Sequence, residues 1–382
     1  MGTLNDEIDP PAHPEYHQPS IPTTTPNTGA PAPVPSSPTV EADPNDGDQD
    51  DDATSDYESD VSDTTSLNSS LFHYQYENGR TYHAHRAGQY LLPNDELEQE
   101  RLDITHHLFS LTLNGALCVS KLDAPKRILD LGTGTGIWAI DVGDLYPAAE
   151  VIGTDLSPIQ SRWFVPHPTP HPFRVPNPRR DTYPPAHRVP SNVRFEIDDA
   201  TLEWTFPRAH FDFIHARTLG GAIADWPALL RRCHKHLVPG GQLEVSEGRT
   251  DFWCDDGSLP ADSATSKWLT EFRRLARPLG FDISPKLPGM LKEAGFTDVE
   301  FRQRVVPCGT WPKDPALKEI GRWFQIQFLE MALESYSLAL FTREGGWTSE
   351  ETQVLFAKVR KELRSNMFHI YTYTAFVTGK KN

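Results

Sequence analysis

The stretch "RILDLGTGTGIWAID", residues 127–141, runs from an apolar segment into three glycines at alternate positions, then into a helical pattern. Strand, glycine-rich turn and helix is how α/β proteins hold nucleotide-like ligands, because small residues let backbone N–H groups and the helix N-terminus approach closely. A triphosphate does not fit, since its loop needs a Lys after the glycines and none follows here. A dinucleotide fits in part, because Gly134, Gly136 and Ala139 match G-x-G-x-x-A. Yet Asp130 stands at the strand's end, where a dinucleotide site has an apolar residue. A carboxylate there, with Gly132, Gly134 and Gly136 spaced so tightly, suits a ligand with an amino-acid part and no pyrophosphate. Asp130 can help hold the ammonium group of such a ligand. S-adenosylmethionine is one.

The next two strands extend this reading. Asp155 ends "VIGTD", nineteen residues after Gly136, where a carboxylate can accept from both ribose hydroxyls. Dinucleotide sites share that feature. The third run, "FEIDDATLEW", places Asp199 to accept from an adenine amino group and Ala200 to offer its N–H to a ring nitrogen. The alternative for Asp198 and Asp199 is a pair of turn residues capping a following helix.

Around this centre the chain changes character. Residues 1–70 hold fifteen Asp or Glu, no Lys or Arg, eleven prolines and no Phe or Trp, so they carry nearly all of the net charge of −17. Such a segment cannot bury enough apolar surface to offset its ordering entropy, and it reads as a disordered acidic tail. The remaining chain is nearly neutral, which excludes a basic nucleic-acid-binding surface. Four scattered cysteines without CxxC suit free thiols in a reducing compartment. "RRCHKHL", with Cys233, His234 and His236, reads as a basic helix face with one buried cysteine, and no metal site is expected. With neither a leader nor an apolar run of ~20 residues, the expectation is a soluble intracellular protein.

Residues 71–125 read as an extended arm and a helix opened by a capping box at Asp95 and Glu98, with Leu97, Arg101, Ile104 or Thr105, Leu108 and Leu111 at helical spacing. Residues 126–382 alternate short apolar runs with helical stretches, which predicts a mostly parallel sheet wrapped by helices. Nine prolines in residues 165–190 predict a surface-loop insertion. Residues 315–365 add helices, and the stripe Trp323, Phe324, Phe328 and Met331 reads as core.

"ILDLGTGTG", "VIGTDLSP", "FEIDDA", "FDFIHAR" and "HKHLVPGGQLEVSE" together resemble the class I S-adenosylmethionine-dependent methyltransferases. The resemblance implies a Rossmann-like fold with a seven-stranded, mostly parallel sheet and an antiparallel final strand. "YENGRTYHAHRAGQYLLPNDELEQERLDITHH" and "VPCGTWPKD" are similar to the LaeA-like fungal methyltransferases, over about residues 74–382. That implies a nuclear or cytosolic regulator of secondary metabolism and development, working with velvet-type partner proteins. The proline-rich insertion departs from the family's short connection. A small-metabolite methyltransferase and a non-catalytic cofactor-binding scaffold are the alternatives.

The expected cofactor-binding set is Asp130, Gly132, Thr133, Gly134, Gly136, Asp155, Leu156, Asp198, Asp199 and Ala200. Methyl transfer is an in-line displacement from an already activated sulfonium, so the protein mainly orients and desolvates the reactants. A general base is needed only for an acceptor that arrives protonated. Tyr82 and His83, in an arm that the resemblance folds over the cleft, are candidates to contact the donor or act as base; the alternative is packing. Arg217 in "HARTLGG" either holds an anionic group or pairs with a carboxylate. Glu247 either faces the ligand at the carboxyl end of its strand or caps the loop that follows. "HARTLGG" also lacks the Asn- or Asp-Pro-Pro-aromatic turn of enzymes that methylate DNA exocyclic amines, and the methyl acceptor is left open.

Overall fold

The short apolar runs become one seven-stranded sheet in the computed structural model, which describes residues 74–83, 92–157, 159–160 and 189–382. These residues belong to one compact unit, Val61–Asn382. The acidic tail and almost all of the proline-rich insertion lie outside the described residues.

The strands are β3 (Arg127–Leu131), β4 (Glu150–Asp155), β5 (Val193–Ile197), β6 (Phe211–Arg217), β7 (Leu237–Gly248), β8 (Thr297–Pro307) and β9 (Tyr371–Lys380). Their order is β5-β4-β3-β6-β7-β9-β8, and β9 alone runs antiparallel to both of its neighbours. From β3 the chain moves outward on one side through β4 and β5, then returns to the other side with β6. That reversal opens a crevice at the carboxyl ends of β3, β4 and β6, where open α/β sheets bind ligands.

Helices cover both faces. Ile128 packs with Trp138, Ala139 and Val142 of α2 (Ile137–Leu145), whereas Leu129 and Leu131 face α3 (Trp226–His236) and α5 (Leu287–Glu293). Cys233 is buried in this second layer, His236 bonds the Pro207 carbonyl, and His234 packs on Phe296. That is the helix-face arrangement read from the sequence. A third core joins α4 (Ala264–Ala276), α7 (Leu333–Arg343) and α8 (Ser349–Arg364). Phe328 lies fully in this core and Phe324 packs against it, while Met331 is buried against α1 (Glu96–Thr112) and Trp323 packs beside it. α6 (Pro315–Gln327) leads into α7 through a single π-turn.

The N-terminal arm is not simply extended. β1 (Tyr74–Glu77) and β2 (Arg80–His83) form a hairpin turned at Asn78 and Gly79. α1 begins at Asp95, whose carboxylate accepts from the Glu98 N–H. The Glu98 carboxylate turns to Arg101 instead of completing the capping box. The buried face of α1 includes Glu98, Arg101, Ile104, Thr105, Leu108 and Phe109, so Arg101, Ile104 and Leu108 lie where the spacing puts them while Leu97 is exposed.

Candidate functional site: a cleft over the glycine turn

β3 ends at Leu131 and the chain turns through Gly132, Gly134 and Gly136, all three with positive φ. Two of them are fixed by space as well as by angle. A Cβ on Gly132 would lie 2.4 Å from a methyl of Leu219, and one on Gly136 would lie 2.5 Å from the Phe195 ring. Gly136→Ala should therefore cost about 2–4 kcal/mol, from the left-handed backbone and overpacking together, read as a loss in denaturant midpoint.

Asp130 braces this turn. One oxygen accepts from Thr133 Oγ1 at 2.7 Å, and the other lies 2.7 Å from His215 Nδ1. The His215 ring stacks on Trp138 at 3.7 Å. His215 was not among the expected residues. Its signal is a histidine inside the apolar run "FDFIHA", directly opposite Asp130 in the β3–β6 register. A carboxylate offers about four acceptor positions, so both bonds leave Asp130 able to receive a ligand donor.

Beyond the turn lies a cleft of about 490 Å³. Its floor carries Gly132, Gly134, Asp155, Leu156, Asp198, Asp199 and Ala200, and Arg217, Thr218 and Leu219 form a wall. Leu92–Asn94 and the Glu98, Arg101 and Leu102 side of α1 form a roof, with Leu102 directly above Gly134. Asp130, Thr133 and Thr135 line a smaller cavity of about 30 Å³, which Gly132, Gly134, Arg217 and Thr218 also line. The two cavities thus contain nine of the ten expected cofactor-binding residues. Gly136 lines neither; it is the residue from which α2 starts.

Asp155 reaches across the floor, accepting from Gly134 N at 2.8 Å and Ser157 N at 2.9 Å. Burial pushes its carboxyl up to about 6 against the pull of those N–H groups. An unfolded aspartate releases its proton near 3.8, so this group's contribution to stability is full below pH 4 and lost as pH rises through 6. Asp155→Ala, which does not titrate, should remove this fall: between pH 4 and pH 8 in ligand-free protein the stability difference should move by about 1–2 kcal/mol in the variant's favour. Asp199 accepts from the N–H and hydroxyl of Thr201, and no helix follows; the pair makes a turn after β5 that borders the cleft.

The four reactive-group candidates separate. Arg217 borders both cavities, 3.3 Å from His106 Nδ1 and over the Phe109 ring at 5.3 Å. Burial lowers it to about 10, which leaves it charged at neutral pH. Tyr82 lies in the helical core beneath the Arg343 guanidinium, away from the cleft lining, and burial pushes its hydroxyl up to about 12. It packs. The side chain of His83 lies outside the described residues. Glu247 does not border the cleft; it caps a loop, but the one after β6 instead of the one after its own strand, accepting from Leu219 N and Gly220 N.

Comparison with known proteins gives the family. A family model described as a methyltransferase domain matches residues 104–301. Methyltransferase pytC of Aspergillus terreus is 40% identical over 321 residues, covering 83% of this chain and 91% of pytC. The secondary metabolism regulator LAE1 of Cochliobolus heterostrophus is 34% identical, covering 80% of this chain and 94% of LAE1. The protein-methionine methyltransferase laeA of Emericella nidulans is 34% identical, covering 83% and 79%.

Proposed function

Because this chain belongs to the methyltransferase-domain family and to its LaeA-like branch, we propose that it is a methyltransferase regulating fungal secondary metabolism and development. Its methyl donor is S-adenosylmethionine. One observation carries the site assignment: the glycine turn, Asp155 and the Asp199–Ala200 turn, far apart in sequence, border a single cleft at the carboxyl ends of three adjacent strands. In that cleft the turn at Gly132–Gly134 would take the amino-acid part, with Asp130 and Arg217 complementing its ammonium and carboxylate. Asp155 would take the ribose hydroxyls, and Asp199 and Ala200 the adenine edge. The chain's own work is to hold the donor, exclude water beneath the α1 roof and present the methyl group along the line of attack.

The regulatory reading rests on the similarity to LAE1 and laeA, and nuclear or cytosolic residence with velvet-type partners belongs to it by resemblance. A second reading, methylation of a small secondary metabolite, is favoured by the similarity to pytC and by a cleft of small-molecule size. Replacing the chromosomal copy with Asp155→Ala separates them. Regulation predicts lowered transcripts of several secondary-metabolite gene clusters; a biosynthetic role predicts unchanged transcripts and one product lacking a methyl group.

A further inference from the structure

The loop 218–221, whose Thr218, Leu219 and Gly221 line the cleft, is held in an unusual conformation. Thr218 has φ +54° and Gly221 +83°, the left-handed region that a β-branched residue such as Thr rarely adopts. The Leu219 side chain lies against Gly132, close enough that a Cβ there would meet it at 2.4 Å. Behind the loop, the Phe281 ring and carbonyl crowd Gly221 and Gly220, leaving no room for a side chain at either. What fixes the loop from beneath is Glu247, 3% exposed, which accepts from Leu219 N at 2.8 Å and Gly220 N at 3.2 Å.

We propose that Glu247 is a positioning residue for the donor site: its carboxylate holds Leu219 against the glycine turn and so sets the affinity for the adenosyl ligand. This rests on the reading of the cleft as the S-adenosylmethionine site. The residue itself touches neither cavity, so its effect passes through the two loop amides. An ionised carboxylate accepts from two N–H groups better than a neutral acid does, because the acid turns one oxygen into a donor. Burial pushes Glu247 up to about 8, against the pull of the two amides, so its ionisation falls in an accessible range. The titratable and charged groups on the elements around it are Tyr336 on α7, the Glu98–Arg101 pair that reaches Tyr336, Arg217 at the head of the loop, and Asp282 beside Phe281, which is tied to Arg249.

The same strand supplies a matched control. Glu244 is also fully buried and also accepts from two backbone amides, those of Val119 and Ser120, as well as the Ser120 and Ser246 hydroxyls, but the 119–120 segment does not border the cleft. Calorimetric titration of the full chain with S-adenosylhomocysteine should be compared for the wild type, Glu247→Gln and Glu244→Gln. At pH 9, where Glu247 is ionised, Glu247→Gln should weaken binding about tenfold, the loss of roughly one hydrogen bond's worth of placement, with the gap closing by pH 6.5, while Glu244→Gln lowers the melting temperature and leaves affinity within about twofold. Wild-type affinity should also rise severalfold from pH 6.5 to 8.5, and that rise should be absent in Glu247→Gln. Equal affinity of Glu247→Gln and wild type at pH 9, or an equal loss in both variants there, overturns the proposal. If Glu247→Gln does not fold, Glu247→Asp takes its place: wild-type affinity in that variant, whose shorter carboxylate draws back from the two amides, overturns the proposal. A folded wild type that does not bind S-adenosylhomocysteine would instead sink the cofactor reading on which the proposal rests.

Discussion

Asp155→Ala is expected to weaken S-adenosylmethionine binding by about 100-fold, measured by calorimetry on the full chain. Two ribose hydroxyls donating to one carboxylate are charge-assisted bonds worth about 1.5–3 kcal/mol each, and losing about 3 kcal/mol is roughly a hundredfold in affinity. A second loss adds to this. Asp155 also accepts from Gly134 N and Ser157 N, so its removal frees the turn that meets the amino-acid part of the ligand. The ligand-free protein should not suffer in proportion, because an aspartate raised to about 6 by burial costs stability at neutral pH. Binding lost with the melting temperature kept would mark Asp155 as a residue held for function at the expense of stability.

Arg101→Met is expected to cause the largest loss of stability, about 3–5 kcal/mol, because it leaves the buried Glu98 carboxylate without its partner. The two side chains are 1% and 4% exposed and bond in a two-pronged pair at 2.7 and 2.9 Å. Arg101 also donates to Tyr336 at 3.2 Å and lies over its ring, which ties the roof of the cleft to α7. For a folded unit of this size the loss corresponds to a fall in melting temperature of roughly 5–8 °C. Adding Glu98→Gln removes the stranded charge, and the double variant should recover more than half of the loss. A double variant no more stable than Arg101→Met would show that packing, and not the unpaired charge, dominates.

How far the sequence could be read depended on the range of the forces involved. Strand existence and order of appearance were legible because each buried strand is a short apolar run, as in "RILDL" and "FDFIHA". The floor of the cleft was legible because its glycines and carboxylates sit at strand ends, where the backbone alone brings them together. Side-chain partners across the fold were not. The Asp130–His215 bond depends on β3–β6 register, and Glu247 caps a loop 27 residues before it. The face of α1 was legible at Arg101, Ile104, Thr105 and Leu108, whereas Glu98 takes the buried place in the first turn and leaves Leu97 exposed, because apolar spacing gives no weight to a buried Glu98–Arg101 pair. Tyr82 looked reactive by type, yet a hairpin that α7 clamps through the Arg343–Glu77 ion pair carries it into the core. Gly136 was grouped with the ligand-facing glycines because spacing does not reveal which neighbour fills the room a side chain would need.

A crystal structure of the full chain with S-adenosylhomocysteine tests the central claim most directly. The account predicts the ligand's amino-acid part against Gly132 and Gly134, both ribose hydroxyls on the Asp155 carboxylate, and adenine at Asp199–Ala200 beneath the α1 roof. A ligand bound elsewhere, or bound in the cleft with its ribose turned away from Asp155, would contradict it.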